Sequence, residues 1–159
     1  VSANLALGNW LLKSEAAFLD GLRFFADPGS DYRRLDILAG VEYSGFTDTT
    51  LSLELVDRHL FAFDQSLESE PDDARENDWQ WVLRFTRKFW HETLEVTLLA
   101  STFGLDGGHG SFQRLQAVYD ITDQLSGTLG LTLYQSGDRM NFRDLGDNDR
   151  VFFSLQYGF

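Results

Sequence analysis

Apolar and polar residues alternate with a period of two through most of the chain. The alternation is cleanest where Leu35, Ile37, Ala39, Val41 and Tyr43 interleave with Arg34, Asp36, Leu38, Gly40 and Glu42. A strand sends successive side chains to opposite faces, so this segment has one greasy face and one charged face. The same pattern recurs with Leu51, Leu53 and Leu55 against Ser52, Glu54 and Val56, and with Trp79, Trp81, Leu83 and Phe85 against Gln80, Val82, Arg84 and Thr86. It continues through Leu94 to Ser101, Arg114 to Tyr119, Leu125 to Leu133 and Val151 to Phe159. The least tidy case comes first, with Trp10, Leu12, Ser14, Ala16 and Phe18 outward and Lys13 and Glu15 inward. The pattern predicts eight strands, each near the roughly nine to eleven residues that a tilted membrane strand needs.

Connections sort by length. Those near Gly45 to Asp48, Lys88 to Glu92 and Ile121 to Asp123 are brief, whereas the alternate ones are mostly longer and rich in Gly, Asp and Asn. Short turns at one end and long loops at the other is the layout of an up-and-down membrane barrel, with the short side periplasmic and both termini expected there. Trp10, Tyr43, Phe89, Tyr119, Tyr157 and Phe159 fall near the short-turn rim, and Phe18, Trp79 and Phe153 toward the other, as interfacial aromatic girdles would.

Alternation alone also suits a soluble sandwich or barrel, whose apolar face points inward. The polar face separates the two. Along the strands it carries Lys13, Arg34, Arg58, Arg84, Lys88 and Arg114 against Glu15, Asp36, Glu42, Glu54, Glu95 and Asp120, six of each sign. A solvated surface has no need to balance, but charges enclosed in a narrow lumen must pair or bear the cost of desolvation. Charges on the apolar face (Arg33, Asp57, Arg87) are expected only at strand ends, since an Arg or Lys at mid-bilayer costs roughly 2 to 4 kcal/mol. The expectation is therefore an all-β, antiparallel up-and-down transmembrane β-barrel, residues 1–159 forming one domain. If eight strands close alone, the interior is only wide enough for side chains to fill.

Composition bounds the function. No run approaches the eighteen or so apolar residues of a spanning helix, so a bilayer would have to be crossed by strands. The net charge of -12 argues against nucleic acid as a partner. Half of it lies between Phe61 and Asp78, where Asp64, Glu68, Glu70, Asp72, Asp73, Glu76 and Asp78 face the single base Arg75. That loop is expected to stay solvated or to meet divalent ions bridging lipopolysaccharide phosphates. Cysteine is absent, which removes disulfides and thiolate metal sites. The chain opens at Val1 without a leader, as a processed form or a fragment would.

The last strand carries a family likeness. A terminal Phe159, Tyr157 two before it, and Val151, Phe153 and Leu155 at alternate positions resemble the signal by which outer-membrane barrels of Gram-negative bacteria are recognised by the assembly machinery. The stretches Asp31 to Asp48, Leu53 to Leu60 and Leu133 to Asp138 further resemble the C-terminal part of a family of large proteobacterial outer-membrane β-barrel proteins of unknown function. That resemblance covers nearly the whole chain and brings no catalytic residues or cofactor. It implies residence in the outer membrane, contact with its lipid and lipopolysaccharide, and transport of small hydrophobic ligands. Members are several times longer, so the chain is either the C-terminal arc of a wider barrel or a short relative that closes on eight strands.

Candidate chemistry is sparse. His59, His91 and His109 lie in different connections and do not converge as ligands of one ion must. His109 and Ser111 have the His-x-Ser spacing of outer-membrane lipid A deacylases, with no orienting acid assigned, and they sit in a Gly-rich loop. Asp144, Asp147 and Asp149 could gather a hard cation, but not at EF-hand spacing. The expectation is a non-enzymatic barrel without metal or cofactor, serving transport or envelope integrity. Its lumen would carry Lys13, Glu15, Arg34, Asp36, Glu42, Glu54, Arg58, Arg84, Glu95, Arg114 and Asp120. The alternatives are a small closed barrel acting as anchor or binding surface through its acidic loops, and a lipid A-modifying hydrolase.

Overall fold

The structure, a computed structural model, describes residues 1–158; Phe159, the last position of the expected terminal signal, lies outside the described residues. Nine strands form one antiparallel sheet in chain order. They are β1 (Ser2–Leu7), β2 (Trp10–Leu22), β3 (Tyr32–Phe46), β4 (Thr49–Phe61), β5 (Asn77–Phe89), β6 (Leu94–Phe103), β7 (Ser111–Thr122), β8 (Leu125–Gln135) and β9 (Arg150–Tyr157). A single 3-10 turn, Gln65–Glu68, breaks the longest loop, and Asp64 caps it by accepting from the Ser66 amide at 2.8 Å.

All eight segments marked by alternation are strands, each paired with its neighbour in the chain. The count is corrected to nine. Ser2–Leu7 carries no charge to mark a polar face, yet it pairs with β2 through the Gly8–Asn9 turn. The position of the N-terminal end is corrected with it. β1 lies opposite Trp10 to Glu15, and Val1 exchanges hydrogen bonds of 2.8 and 2.9 Å with Ala16, about halfway along β2 and away from the short-turn rim. The sheet is also open: no Cα of β1 comes within 8 Å of β9, so it does not close on these strands.

Tight reversals at Gly8–Asn9, Thr47–Asp48, Trp90–Thr93 and Asp123–Gln124 occupy one end of the sheet, and the loops 23–31, 62–76, 104–110 and 136–149 occupy the other. Part of each expected aromatic group is in ring contact. Trp10 stacks on Tyr43 at 4.4 Å and Tyr43 on Phe46 at the short-turn end, while Phe61 meets Phe18 and His59 toward the loops.

There is one layer only. In a soluble sandwich the apolar face would be covered by a second sheet or by helices. Here Phe18 (61% exposed), Leu53 (45%), Leu129 (57%) and Phe153 (66%) stand on an uncovered face, along with Ile37, Leu51, Leu55, Leu115, Val151 and Leu155. Among the described residues the buried apolar cluster is Tyr32, Leu60 and Leu67, flanked by Leu22, Phe24, Phe63 and Ala74. It sits where the first and second long loops meet the strand ends. The packed core of this chain therefore belongs to its loops.

Leu67 is fully buried in that cluster. Replacing it with Ala is expected to remove about 2 to 5 kcal/mol of local cap stability. Protease cleavage within 62–76 should accelerate while the far-UV circular dichroism of the sheet is unchanged. Loss of the sheet signal would show that the cap is needed for the strands to form.

Candidate functional site: a charged groove under a loop cap

The inward residues meet in rows fixed by register. Lys13 of β2 lies opposite Gly40 of β3, which lies opposite Glu54 of β4. A Cβ at Gly40 would stand 3.0 Å from the Glu54 Cγ and 3.5 Å from the Lys13 Cβ, so the missing side chain gives the lysine a clear path across β3. The Lys13 ammonium donates to Glu42 at 3.1 Å and to Glu54 at 3.5 Å, tying three strands together. Nearby, Arg34 forms a bidentate pair with Asp36 on its own strand at 2.7 and 2.9 Å.

The next row runs from Glu42 through Ser52, Arg84, Leu99, Arg114 and Thr132 to Arg150. Its residues and their neighbours line a concave groove of about 450 Å³ bounded by Lys13, Glu42, Glu54, Val82, Arg84 and Glu95. A second hollow, between Arg84, Glu95, Leu99 and Arg114, adjoins it. The polar face is thus the concave one. Arg114 donates to Gln116 at 2.8 Å and lies 4.7 Å over the Phe152 ring. That ring lies flat across Gly130, where any Cβ would overlap it.

The eleven residues expected to line a lumen do share this face, but the expected pairing is partial. Lys13, Glu42, Glu54, Arg34, Asp36 and Arg58 are ion-paired; Glu15, Arg84, Glu95, Arg114 and Asp120 form no ion pair among the described residues. An open sheet explains this, because groups that water still reaches are not compelled to find a counter-ion. Arg58 takes a partner that the pattern hides. Asp78 was grouped with the acidic loop, yet it is the second residue of β5, opposite Arg58 in the register and 3.5 Å from it.

Asp78 also anchors the lid of the groove. Arg139, from the loop between β8 and β9, pairs with the same carboxylate and stacks 4.7 Å over Phe103 of β6. Phe142 packs beside it against Phe103 and Gly110. The last loop therefore folds inward over the polar face. Other loops lock onto it. Asp138 accepts from Arg75 at 3.1 Å and pairs with His109 at 2.6 Å, Met140 donates its amide to Asp73 at 3.0 Å, and Arg143 meets Glu70 at 2.6 Å.

The acidic stretch is corrected in part. Asp64, Glu68, Glu70 and Glu76 are exposed, as a solvated loop requires, but Glu70, Asp72 and Asp73 also serve as acceptors that hold the cap together. Asp72 takes the amides of both Phe25 and Ala26 at 2.8 Å, and the Ser66 hydroxyl and amide hold Asp64 below the usual carboxylate range. In the first loop the hydroxyls of Ser30 and Tyr32 do the same for Asp27.

The catalytic alternative meets a contrary geometry. His109 has an orienting acid, Asp138, but Ser111 is 2% exposed and donates to Gln135 at 3.1 Å while accepting from Gln113 at 3.0 Å. The base and the candidate nucleophile engage separate partners. His59 lies in β4, not in a connection, and contacts Asn77 at 2.9 Å. Among the described residues no group of three His, Cys, Asp or Glu side chains converges as a metal site. Comparison with known proteins adds no relative: no family model matches the chain, and neither does a curated protein or a solved structure.

A charge-assisted contact of the Arg139 kind contributes about 1.5 to 3 kcal/mol. Arg139→Ala is accordingly expected to raise amide exchange across 138–146 by roughly ten- to a hundredfold, with strand protection preserved. Unchanged exchange would mean that the lid is held elsewhere. In the groove, Lys13→Met should lower stability by about 1 kcal/mol by leaving Glu42 and Glu54 without their shared cation, and adding Glu54→Gln should recover part of the loss. Urea titration of the single and double variants checks this.

Proposed function

We propose that this chain forms wall and loop cap of an outer-membrane β-barrel, non-enzymatic, serving the passage of small hydrophobic molecules or the integrity of the envelope. One observation carries the reading: an apolar face that no second layer covers, with exposed residues on β1–β4 and β7–β9, lies opposite a concave face that holds most of the strand charges, Asp57 being the exception inside β4. In water such a surface is an aggregation liability far larger than a monomer ordinarily exposes. Against hydrocarbon it is the surface that strands require, with every amide inside the sheet paired by a neighbouring strand. The aromatic clusters near both ends agree with two membrane interfaces, and Val151, Phe153, Leu155 and Tyr157 present an apolar outer edge suited to the assembly machinery.

The inward-folded last loop favours restricted passage over an open aqueous pore. Anchoring or binding through the acidic loop has less support, because Glu70, Asp72 and Asp73 are already engaged within the cap. Lipid A hydrolysis has less still, since Ser111 and His109 are turned to different partners.

The test contrasts two neighbouring residues. Leu53→Arg, on the apolar face, is expected to cost roughly 2 to 4 kcal/mol of folding into lipid vesicles, while Ser52→Arg, on the polar face, costs less than about 1 kcal/mol. In a soluble protein the order reverses, because an exposed Leu53 accepts a charge freely. Recovery of the folded chain from the soluble fraction without detergent would also overturn the proposal.

A further inference from the structure

The charged face is not polar throughout. Leu38, Val56, Val82 and Leu99 stand on it, at positions where the alternation along β3, β4, β5 and β6 calls for a polar residue, and each is half-buried. Register sets them side by side. Leu38 lies opposite Val56, Glu54 opposite Val82, and Arg84 opposite Leu99, so the four apolar residues follow one diagonal across four adjacent strands. Side chains on such a diagonal reach one another, and one direct step followed by two diagonal ones makes a track roughly 20 Å long.

The charges beside the track differ from end to end. Along Leu38, Val56 and Val82 they are neutralised in pairs: Arg34 with Asp36, Arg58 with Asp78, and Lys13 with Glu54. Glu15, opposite Leu38, is the exception, an acid with no ion pair among the described residues. At the other end Leu99 lies between two arginines, opposite Arg84 on one side and Arg114 on the other. Arg84 makes no hydrogen bond or ion pair among the described residues. Arg114 donates to the neutral Gln116 and rests on the Phe152 ring, which orients the guanidinium without neutralising it. Between the two arginines lies a hollow of about 290 Å³ whose one acidic lining residue is Glu95. Two cations against one carboxylate leave that hollow with a single positive charge in excess.

An apolar track that ends in one uncompensated positive charge fits a molecule with an apolar chain and one negative charge. We propose that the track binds a single-chain carboxylate, its carboxylate held in the hollow between Arg84 and Arg114 and its chain laid along Leu99, Val82, Val56 and Leu38. A guanidinium presents a planar fork of donors that matches a carboxylate, and an excess of one charge suits a monoanion over a dianion. Glu15 at the far end repels the head group and so fixes the direction in which the chain lies. Each methylene that covers the apolar residues adds about two- to fourfold in affinity. The site names the class of small hydrophobic molecule for the passage proposed above, and to that extent it rests on that reading.

The test is equilibrium binding to the natural polypeptide folded in micelles of an uncharged detergent, with binding to protein-free micelles subtracted. Octanoate at neutral pH and low salt is expected to bind saturably, and decanoate about four- to sixteenfold more tightly. Octan-1-ol, which keeps the chain, and acetate, which keeps the head group, should each bind at least roughly tenfold more weakly than octanoate. Arg84→Gln and Arg114→Gln should each weaken octanoate by a similar factor, while Arg87→Gln, on the opposite face of β5, leaves it unchanged. Far-UV circular dichroism checks the folding of each variant, and the series of ligands on the unaltered protein depends on no variant. Octan-1-ol bound as tightly as octanoate, octyl phosphate bound more tightly, octanoate retained by both arginine variants, or no saturable binding would each overturn the proposal. The membrane reading is tested apart, by folding of Leu53→Arg and Ser52→Arg into vesicles: octanoate bound by a protein that proves soluble would keep this site and remove the passage.

Discussion

The antiparallel register is the constraint on which the remaining structure depends. Because side chains alternate with a period of two, a slip of one residue between β2 and β3 would carry Lys13 to the face of Leu12 and bring Ile37 among the charges. The register observed places Lys13, Gly40 and Glu54 in one row and lets a single ammonium reach two carboxylates across a strand that has no side chain in the way. From that alignment follow the division of the sheet into an apolar and a charged face, and the concavity of the charged one. The lid can reach the groove because Asp78 and Phe103 are presented on the same side.

Stability is distributed unusually. The sheet has no apolar core of its own, so its ladder must be supported by whatever covers the greasy face, and the proposed bilayer does that without supplying any specific contact. Specific packing is confined to the loop end, where Leu67, Leu60 and Tyr32 exclude water, where Asp72, Asp73 and Asp138 accept from other loops, and where Asp78 forms ion pairs with Arg58 and Arg139. Carboxylates suit this task because each offers two oxygens to converging amides and guanidiniums. A cap made this way joins loops that are distant in the chain, and it draws the arch of the sheet together without closing its edges.

Much of the architecture was legible because period-two alternation is a local signal. Eight strands, the division into short turns and long loops, and the face of each charged residue could be read from residues two apart. β1 was not legible. Ser2–Leu7 has no charged position to reveal an inner face, and only its pairing with Trp10–Glu15 identifies it as a strand. Asp78 was concealed by its neighbours, since five acids within ten residues look like a solvated loop until the register sets one of them opposite Arg58. Phe152 and Arg114 offered no cue at all, because the glycine that lets them stack lies on another strand.

By itself, the sequence determined the class of structure, the direction in which each strand side chain points, and the absence of any helix able to span a bilayer. Those properties depend on a residue's own backbone geometry and its near neighbours. Tertiary structure alone decided which charges meet, that Glu70, Asp72 and Asp73 of the acidic loop fasten the cap, that the last loop turns inward, and that the sheet of the described residues does not close. Each of these depends on strands and loops tens of residues apart arriving at the same place, and no local pattern encodes that coincidence.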